Sequence, residues 1–274
     1  MGHEVIAAGP CFGDCIPWAG MMVLKGKAQV PDVVIDWDHR LTIPHIEAQH
    51  GKFDLVVQCD SQLYMEGATC PNVCYASDNH VADYPHLGKY DLFFGSHSWG
   101  VGHDHPSFVW LPGGWEPHAV DLHIERRYDM CIVGTMYEQR VNVVKTLLPK
   151  NVTMLLGWGV LYEEWNYLYN LAKMTVVEPC NNDVSGRIFN HFRQGTLVIM
   201  PRGITDIAKM DLQDMVHYLG YENDYEMYEQ VQRARDPYFR ETITGRAKAW
   251  VEPHGWEQHL GVMLQKVGKC GGQT

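Results

Sequence analysis

The sequence predicts an α/β protein made of two doubly wound halves that face each other across a cleft. Three observations carry this. Short apolar runs recur along all 274 residues and alternate with segments of helical periodicity. Nearly every run ends in small, polar or ionisable residues, the pattern of a parallel sheet whose carboxyl ends line a crevice. The rhythm breaks once, between Trp115 and Arg127, where Pro117, His118 and Asp121 precede the charged run Glu125, Arg126, Arg127. It then restarts, which places the boundary between the halves there.

In the first half, residues 3–8 read as a strand, followed by a loop with Gly9, Pro10, Gly13 and Asp14. The run at 18–27 is expected to be a helix. Residues 33–35 form the second expected strand, and 42–50 a short helix with Pro44 in its first turn. Strands are then expected at 54–58, 73–75, 91–94 and 108–111. The third ends in Asp60, the fourth in Asp78, Asn79 and His80, and the fifth in Ser96 and His97.

In the second half, strands are expected at 129–133, 153–156, 174–177, 197–200 and 216–219. Helices are expected at 138–148, with Val141, Val144 and Leu148 on one face, and at 162–172, with Trp165, Leu168 and Ala172 as the apolar stripe. The unit at 173–200 is the clearest of all. It runs strand, polar loop, then a helix with Ser185 at the N-cap position and Gly195 at its end, then a strand stopped by Pro201. Asn223 or Asp224 caps the next helix, and Asp236-Pro237 opens another. Residues 256–267 are amphipathic and helical.

Composition narrows the function classes. A hydrophobic fraction of 46% supplies a well-filled core. A formal charge of −11 argues against a protein held mainly by phosphate backbones or anionic lipid. No apolar run reaches the roughly 18 residues of a membrane span. The N-terminus lacks the basic start of a signal peptide, and a cytoplasmic location with reduced thiols is expected. Cys11/Cys15 and Cys70/Cys74 do not have CxxC spacing, and the fifteen histidines form no HExxH, so no metal site is expected.

Several residues of the second half suit an anionic ligand. Gly134 and Thr135 end a strand and open a helix, so their N–H groups can face phosphate oxygens. Arg140 lies further along that helix, and Arg187 opens the central one beside Ser185 and Gly186. Gly157, Trp158 and Gly159 at another strand end let backbone and an indole approach a flat ring. In the first half, Asp78 with His80 is the preferred pair for acid–base work or sugar-hydroxyl contacts. The alternative is that Asp78 caps a turn and His80 packs beneath a loop. His118 either reaches the cleft or stiffens the linker.

Four segments carry a family resemblance: YDMCIVGTMYEQR, LGWGVLYEEWNYLYNLAKMTVV, NNDVSGRIFNHFRQGTLVI and HGWEQHLGVML. Together with YDLFFGSHSWG and VWLPGGWEPH they resemble the CgeB-like glycosyltransferases, a branch of the GT-B superfamily close to the retaining group-1 enzymes. The match spans residues 73–267. The resemblance implies a GT-B fold: a Rossmann-like acceptor-side domain at 1–123, a donor domain at 124–255, and a final helix and tail at 256–274 that cross back. It implies a UDP- or GDP-linked sugar as donor and no obligatory metal or cofactor. Gly134, Thr135, Arg140 and Arg187 would hold the diphosphate, Gly157, Trp158 and Gly159 would flank the base, and Ser185 belongs to the same donor-binding set. The family box has glutamate for the donor ribose where this chain has Asn190. An amide binds a hydroxyl without charge, and so more weakly.

The acceptor stays open: a small molecule, a glycan, a protein or a hydroxylated DNA base. A DNA acceptor needs a basic groove, for which Arg126, Arg127, Arg193, Arg202 and Arg240 are the scattered candidates. The alternative class is a nucleotide-sugar-binding module without turnover, suggested by Asn190. A Rossmann-type dehydrogenase is disfavoured, because the first βα turn lacks GxGxxG.

Overall fold

The computed structural model describes residues 2–9, 15–18, 21–24, 30–35, 41–59, 64–80, 82–179 and 182–271. In the second half, five parallel strands form one sheet. They are β9 (Tyr128–Val133), β10 (Met154–Gly157), β11 (Ala172–Val176), β12 (Leu197–Pro201) and β13 (Leu219–Tyr221), in the order β10-β9-β11-β12-β13. Between them run α2 (Glu138–Leu147), α3 (Tyr162–Asn170) and α4 (Arg187–Gln194). Then come α5 (Asp224–Arg233), α6 (Pro237–Val251) and α7 (Trp256–Gly271). Period-two alternation divides the core. Met130 and Ile132 of β9 face Val143, Leu147, Met227 and Ile243 on one side. Cys131 and Val133 face Trp165 and Tyr169 of α3 on the other.

The first half has a four-stranded parallel sheet in sequential order. It comprises β5 (Val56–Cys59), β6 (Asn72–Ala76), β7 (Leu92–Gly95) and β8 (Phe108–Trp110), with α1 (Ile43–His50) ahead of it. β1 (Ala8–Gly9) and β4 (Val33–Val34) pair parallel with each other. Where a helix is expected at 18–27, the described residues are strand instead: β2 (Cys15–Trp18) and β3 (Met21–Leu24) pair antiparallel, with Trp18 opposite Met21. A short apolar run such as Met21 to Leu24 fits a strand and a buried helix turn equally well until partners are known.

α7 crosses back onto the first sheet. Met263 and Val267 pack with Val73, Tyr75, Leu92 and Phe94, and Trp256 meets Tyr75 edge-on at 5.3 Å. The crossing is tight. Trp115 N–H donates to the His254 carbonyl at 3.0 Å, and Trp256 N–H donates back to the Trp115 carbonyl at 3.3 Å. A Cβ on Gly114 would lie 2.9 Å from the His254 oxygen, so only glycine lets these backbones meet.

The segment between β8 and β9 is stitched to the second half by side-chain amides. Asn190 Oδ1 accepts from Glu116 N–H at 2.8 Å, Asn166 Oδ1 from Val120 N–H at 3.1 Å, and Asn170 Oδ1 from Leu122 N–H at 2.8 Å. Arg126 anchors its far end, donating to the Ala172 and Gln194 carbonyls at 2.7 Å each and to Thr196 Oγ1 at 3.1 Å.

Candidate functional site

The carboxyl ends of both sheets meet. Ser98, just past β7, donates its N–H to Asp206 Oδ2 at 2.9 Å and its hydroxyl to Oδ1 at 2.5 Å. Asp206 lies past β12 and is buried, and Lys209 pairs with it at 3.5 Å. Gly113 approaches Gly186 at the start of α4 so closely that a Cβ would sit 3.2 Å from its Cα.

On the second-half side, Gly134 is the focus. Its φ is +118°, a conformation that L side chains rarely adopt, and its N–H donates to the Gly157 carbonyl at 2.9 Å. Both guanidinium groups close on it. A Cβ here would lie 2.8 Å from Arg187 Nη2 and 3.1 Å from Arg140 Nη1. Arg187 Nη1 donates to the Val133 carbonyl at 2.7 Å, and Arg140 Nη1 to the Thr135 carbonyl at 2.7 Å. Each fork is thus oriented on backbone beside Gly134, and a guanidinium is a planar set of N–H donors matched to phosphate oxygens. Thr135 is exposed at the mouth of α2, and Arg140 lies over Tyr137 at 5.4 Å.

The other expected donor-side residues spread around this focus. α4 begins one residue later than the sequence suggested. Ser185 still serves its start, its hydroxyl taking Arg187 N–H at 3.4 Å and its carbonyl Ile188 N–H at 3.1 Å. Gly157 ends β10 against Leu168 and Val133, Gly159 has φ +70°, and Trp158 is 67% exposed. Asn190 is buried, with its carbonyl oxygen on the linker.

Two residues that sequence reasoning passed over stand beside this group. Glu178, past β11, accepts a short hydrogen bond from the Tyr221 hydroxyl. Burial raises the Glu178 carboxyl above its ordinary value, as does Asp224, while Tyr221 and Arg140 oppose the rise. The one available signal was the position of Glu178 at a strand end.

On the first-half side, Asp78 is exposed and His80 half-buried after β6. His80 turns toward His97, with ring centroids 4.2 Å apart, and Trp99 stands edge-on to both at 6.2 and 6.0 Å. His97 is buried. Its Nδ1 lies 2.7 Å from Ser96 Oγ and 3.2 Å from Asn79 Oδ1. Burial, helped by the neighbouring His80 and opposed by Asp206, lowers the His97 imidazole to about 4, so it is neutral near pH 7. From the facing half, Asp183 brings a carboxylate oxygen within 4.8 Å of a nitrogen of each histidine.

His118 packs on the linker side. It meets Trp165 and Tyr162 edge-on and pairs with Glu116 at 3.0 Å, so of its two expected roles it takes the stiffening one. Gly9 packs beside Pro31. Gly13, Asp14 and Asp60 lie outside the described residues.

No protein-family model and no curated protein matches the sequence. Solved structures do match in shape. Sucrose-phosphate synthase from Thermosynechococcus elongatus superposes with a TM-score of 0.61 at 11% identity, over 97% of this chain and 88% of that one. The pneumococcal O-GlcNAc transferase GtfA, solved with UDP and GlcNAc, gives 0.55 at 10% identity over 93% and 69%. S. aureus TarM, solved with UDP, fondaparinux and α-GlcNAc-glycerol, gives 0.61 at 10% identity over 78% of this chain. The chain spans about half of TarM's length, 55%. These neighbours are GT-B glycosyltransferases, and the chain shares their two-domain, Rossmann-like α/β fold.

Proposed function

We propose that the protein transfers a sugar from a nucleoside-diphosphate donor, UDP- or GDP-linked, to an acceptor hydroxyl. The observation that carries this is the convergence of Arg140 and Arg187 on the positive-φ backbone of Gly134. Two guanidinium forks, the N–H groups opening α2 and the dipole of α4 form a cradle for a diphosphate. On this reading residues 1–123 bind the acceptor, 124–255 bind the donor, and 256–274 brace the two.

Departure of the diphosphate builds negative charge at the arginine cluster, which stabilises it by hydrogen bonding with no cation required at that point. Trp158 and the flanking glycines cover the base. Asp78 and His80 contact the acceptor or sugar hydroxyls from across the cleft. The family resemblance assigns retention at the anomeric carbon. The five arginines weighed for a DNA groove all have partners within the chain. Arg126 holds carbonyls, Arg127 pairs with Glu125, and Arg193 with Glu252. Arg202 pairs with Asp214 and Glu226, and Arg240 holds the Ala234 carbonyl. This disfavours a duplex DNA acceptor.

The test is calorimetric titration with UDP, GDP and their sugars, followed by donor consumption with acceptor extracts. Micromolar binding that Arg187→Ala weakens at least tenfold supports the proposal, and no binding of any nucleoside diphosphate overturns it. Asn190 favours a second reading, a nucleotide-sugar-binding module without turnover, because its amide oxygen is already taken by Glu116 N–H. Tight binding with no consumption of any donor would select that reading.

A further inference from the structure

His97 Nε2 and His80 Nδ1 are both buried and without a hydrogen-bond partner. A buried nitrogen that has given up water and gained no partner is costly, so two of them side by side ask for an occupant. The chemistry of that occupant follows from the amide of Asn79. Asn79 Nδ2 donates to the His97 carbonyl at 2.9 Å, and Oδ1 accepts His97 N–H at 2.9 Å, which fixes the amide's orientation. The oxygen facing His97 Nδ1 is therefore an acceptor. Nδ1 carries the ring proton, which leaves the buried Nε2 with a bare lone pair. An imidazole whose other nitrogen donates to a carbonyl is the arrangement metal-binding histidines adopt.

One nitrogen of His80, one of His97 and a carboxylate oxygen of Asp183 all lie within 4.8 Å of one another. We propose that these three residues hold a single divalent transition cation of the zinc type at the seam between the two halves. Two imidazoles and one carboxylate suit zinc or cobalt, whereas magnesium and calcium take oxygen ligands. Bonds of about 2.0–2.2 Å to one ion need the donors somewhat closer than 4.8 Å, so binding would shift the half-buried Asp183 and His80 side chains. Trp99 walls the site on one side, and three protein ligands leave at least one coordination position to water or a substrate oxygen. Because His80 and His97 follow β6 and β7 while Asp183 follows β11, the ion ties both sheets together.

The inference does not rest on the nucleotide-sugar reading, and it is tested without nucleotide. The full chain is stripped with a chelator and titrated with Co²⁺, read by visible ligand-field absorption, and with Zn²⁺, read by calorimetry. One ion per chain should bind, with an excess of Mg²⁺ failing to displace it. Changing a residue that merely supports a metal-binding histidine weakens affinity about 10–100-fold, so losing a ligand, as in His97→Gln or Asp183→Asn, should exceed about 100-fold. His123→Ala, at an exposed linker residue, should change nothing. Absence of the cobalt band, or full affinity retained in Asp183→Asn, would overturn the assignment. The half-buried loop position of Asp183 makes that variant decisive even where His97→Gln fails to fold.

Discussion

Gly134 concentrates the residue-scale argument, because one hydrogen in place of a methyl group is what lets two guanidinium groups share a space. Gly134→Ala strains a +118° φ and pushes Arg187 Nη2 from the 2.8 Å a Cβ would impose. Such strain costs about 1–3 kcal/mol, and the displaced forks should lower UDP affinity more than tenfold by calorimetry. Gly134, Arg140 and Arg187 were legible in the sequence, since each sits where a strand ends or a helix opens. The histidine–aspartate cluster was not. His80, His97 and Asp183 belong to three separate loops, and only the facing of two sheets brings them together. Asn190 was legible as a departure from the family box, but its partner, a backbone N–H of the linker, was not.

Among the elements, those defined by caps and periodicity came through within a residue or two. Asn223 caps α5 by accepting Tyr225 and Glu226 N–H, and Asp236 caps α6. Most strands did too, and the limits that moved are ones that pairing sets. α3 stops at Asn170 instead of running to 172 because Ala172 is drawn into the sheet opposite Tyr128, and the Leu171 carbonyl takes both Arg127 and Tyr128 N–H. Likewise the last strand forms at Leu219–Tyr221, later than expected, after a turn closed by the Asp214–Tyr218 bridge. Two predictions belong here. Met263→Ala on α7, where the side chain is 3% exposed against the first sheet, should cost about 2–5 kcal/mol in denaturant unfolding. Arg126→Lys should destabilise nearly as much as Arg126→Ala. One ammonium cannot reach the Ala172 and Gln194 carbonyls together as the planar fork does.

Across the whole molecule, acidification should act through histidines first. Burial lowers His97 and His259 to about 4 and His191 to about 3, from an ordinary 6.5. The folded state therefore binds fewer protons than the unfolded chain between pH 6.5 and about 3. Stability is full above 6.5 and falls as pH drops through that window. Asp121 and Asp129 join later. Burial works against their ionisation, but neighbouring N–H groups, lysines and arginines hold both below 3.8, so their contribution is lost only in stronger acid. Thermal melting from pH 7 to 4 should show a graded fall, shallower in His191→Gln. The contact between the halves includes one buried carboxylate. Asp206→Ala strands the Ser98 N–H and should cost about 1–3 kcal/mol and enlarge the radius of gyration in solution scattering.

The return of α7 also sets an order of events during synthesis. A ribosome adds about 5–20 residues per second and generally lets N-terminal units fold as they emerge. Here the apolar face of β6 and β7 must wait for Met263 and Val267, which are translated only after the entire five-stranded sheet. The earliest part of the chain to appear is thus among the last to be sealed. Nascent chains with α7 still inside the ribosome should expose Val73, Leu92 and Phe94 to chaperones, and chains extended until α7 has emerged should release them.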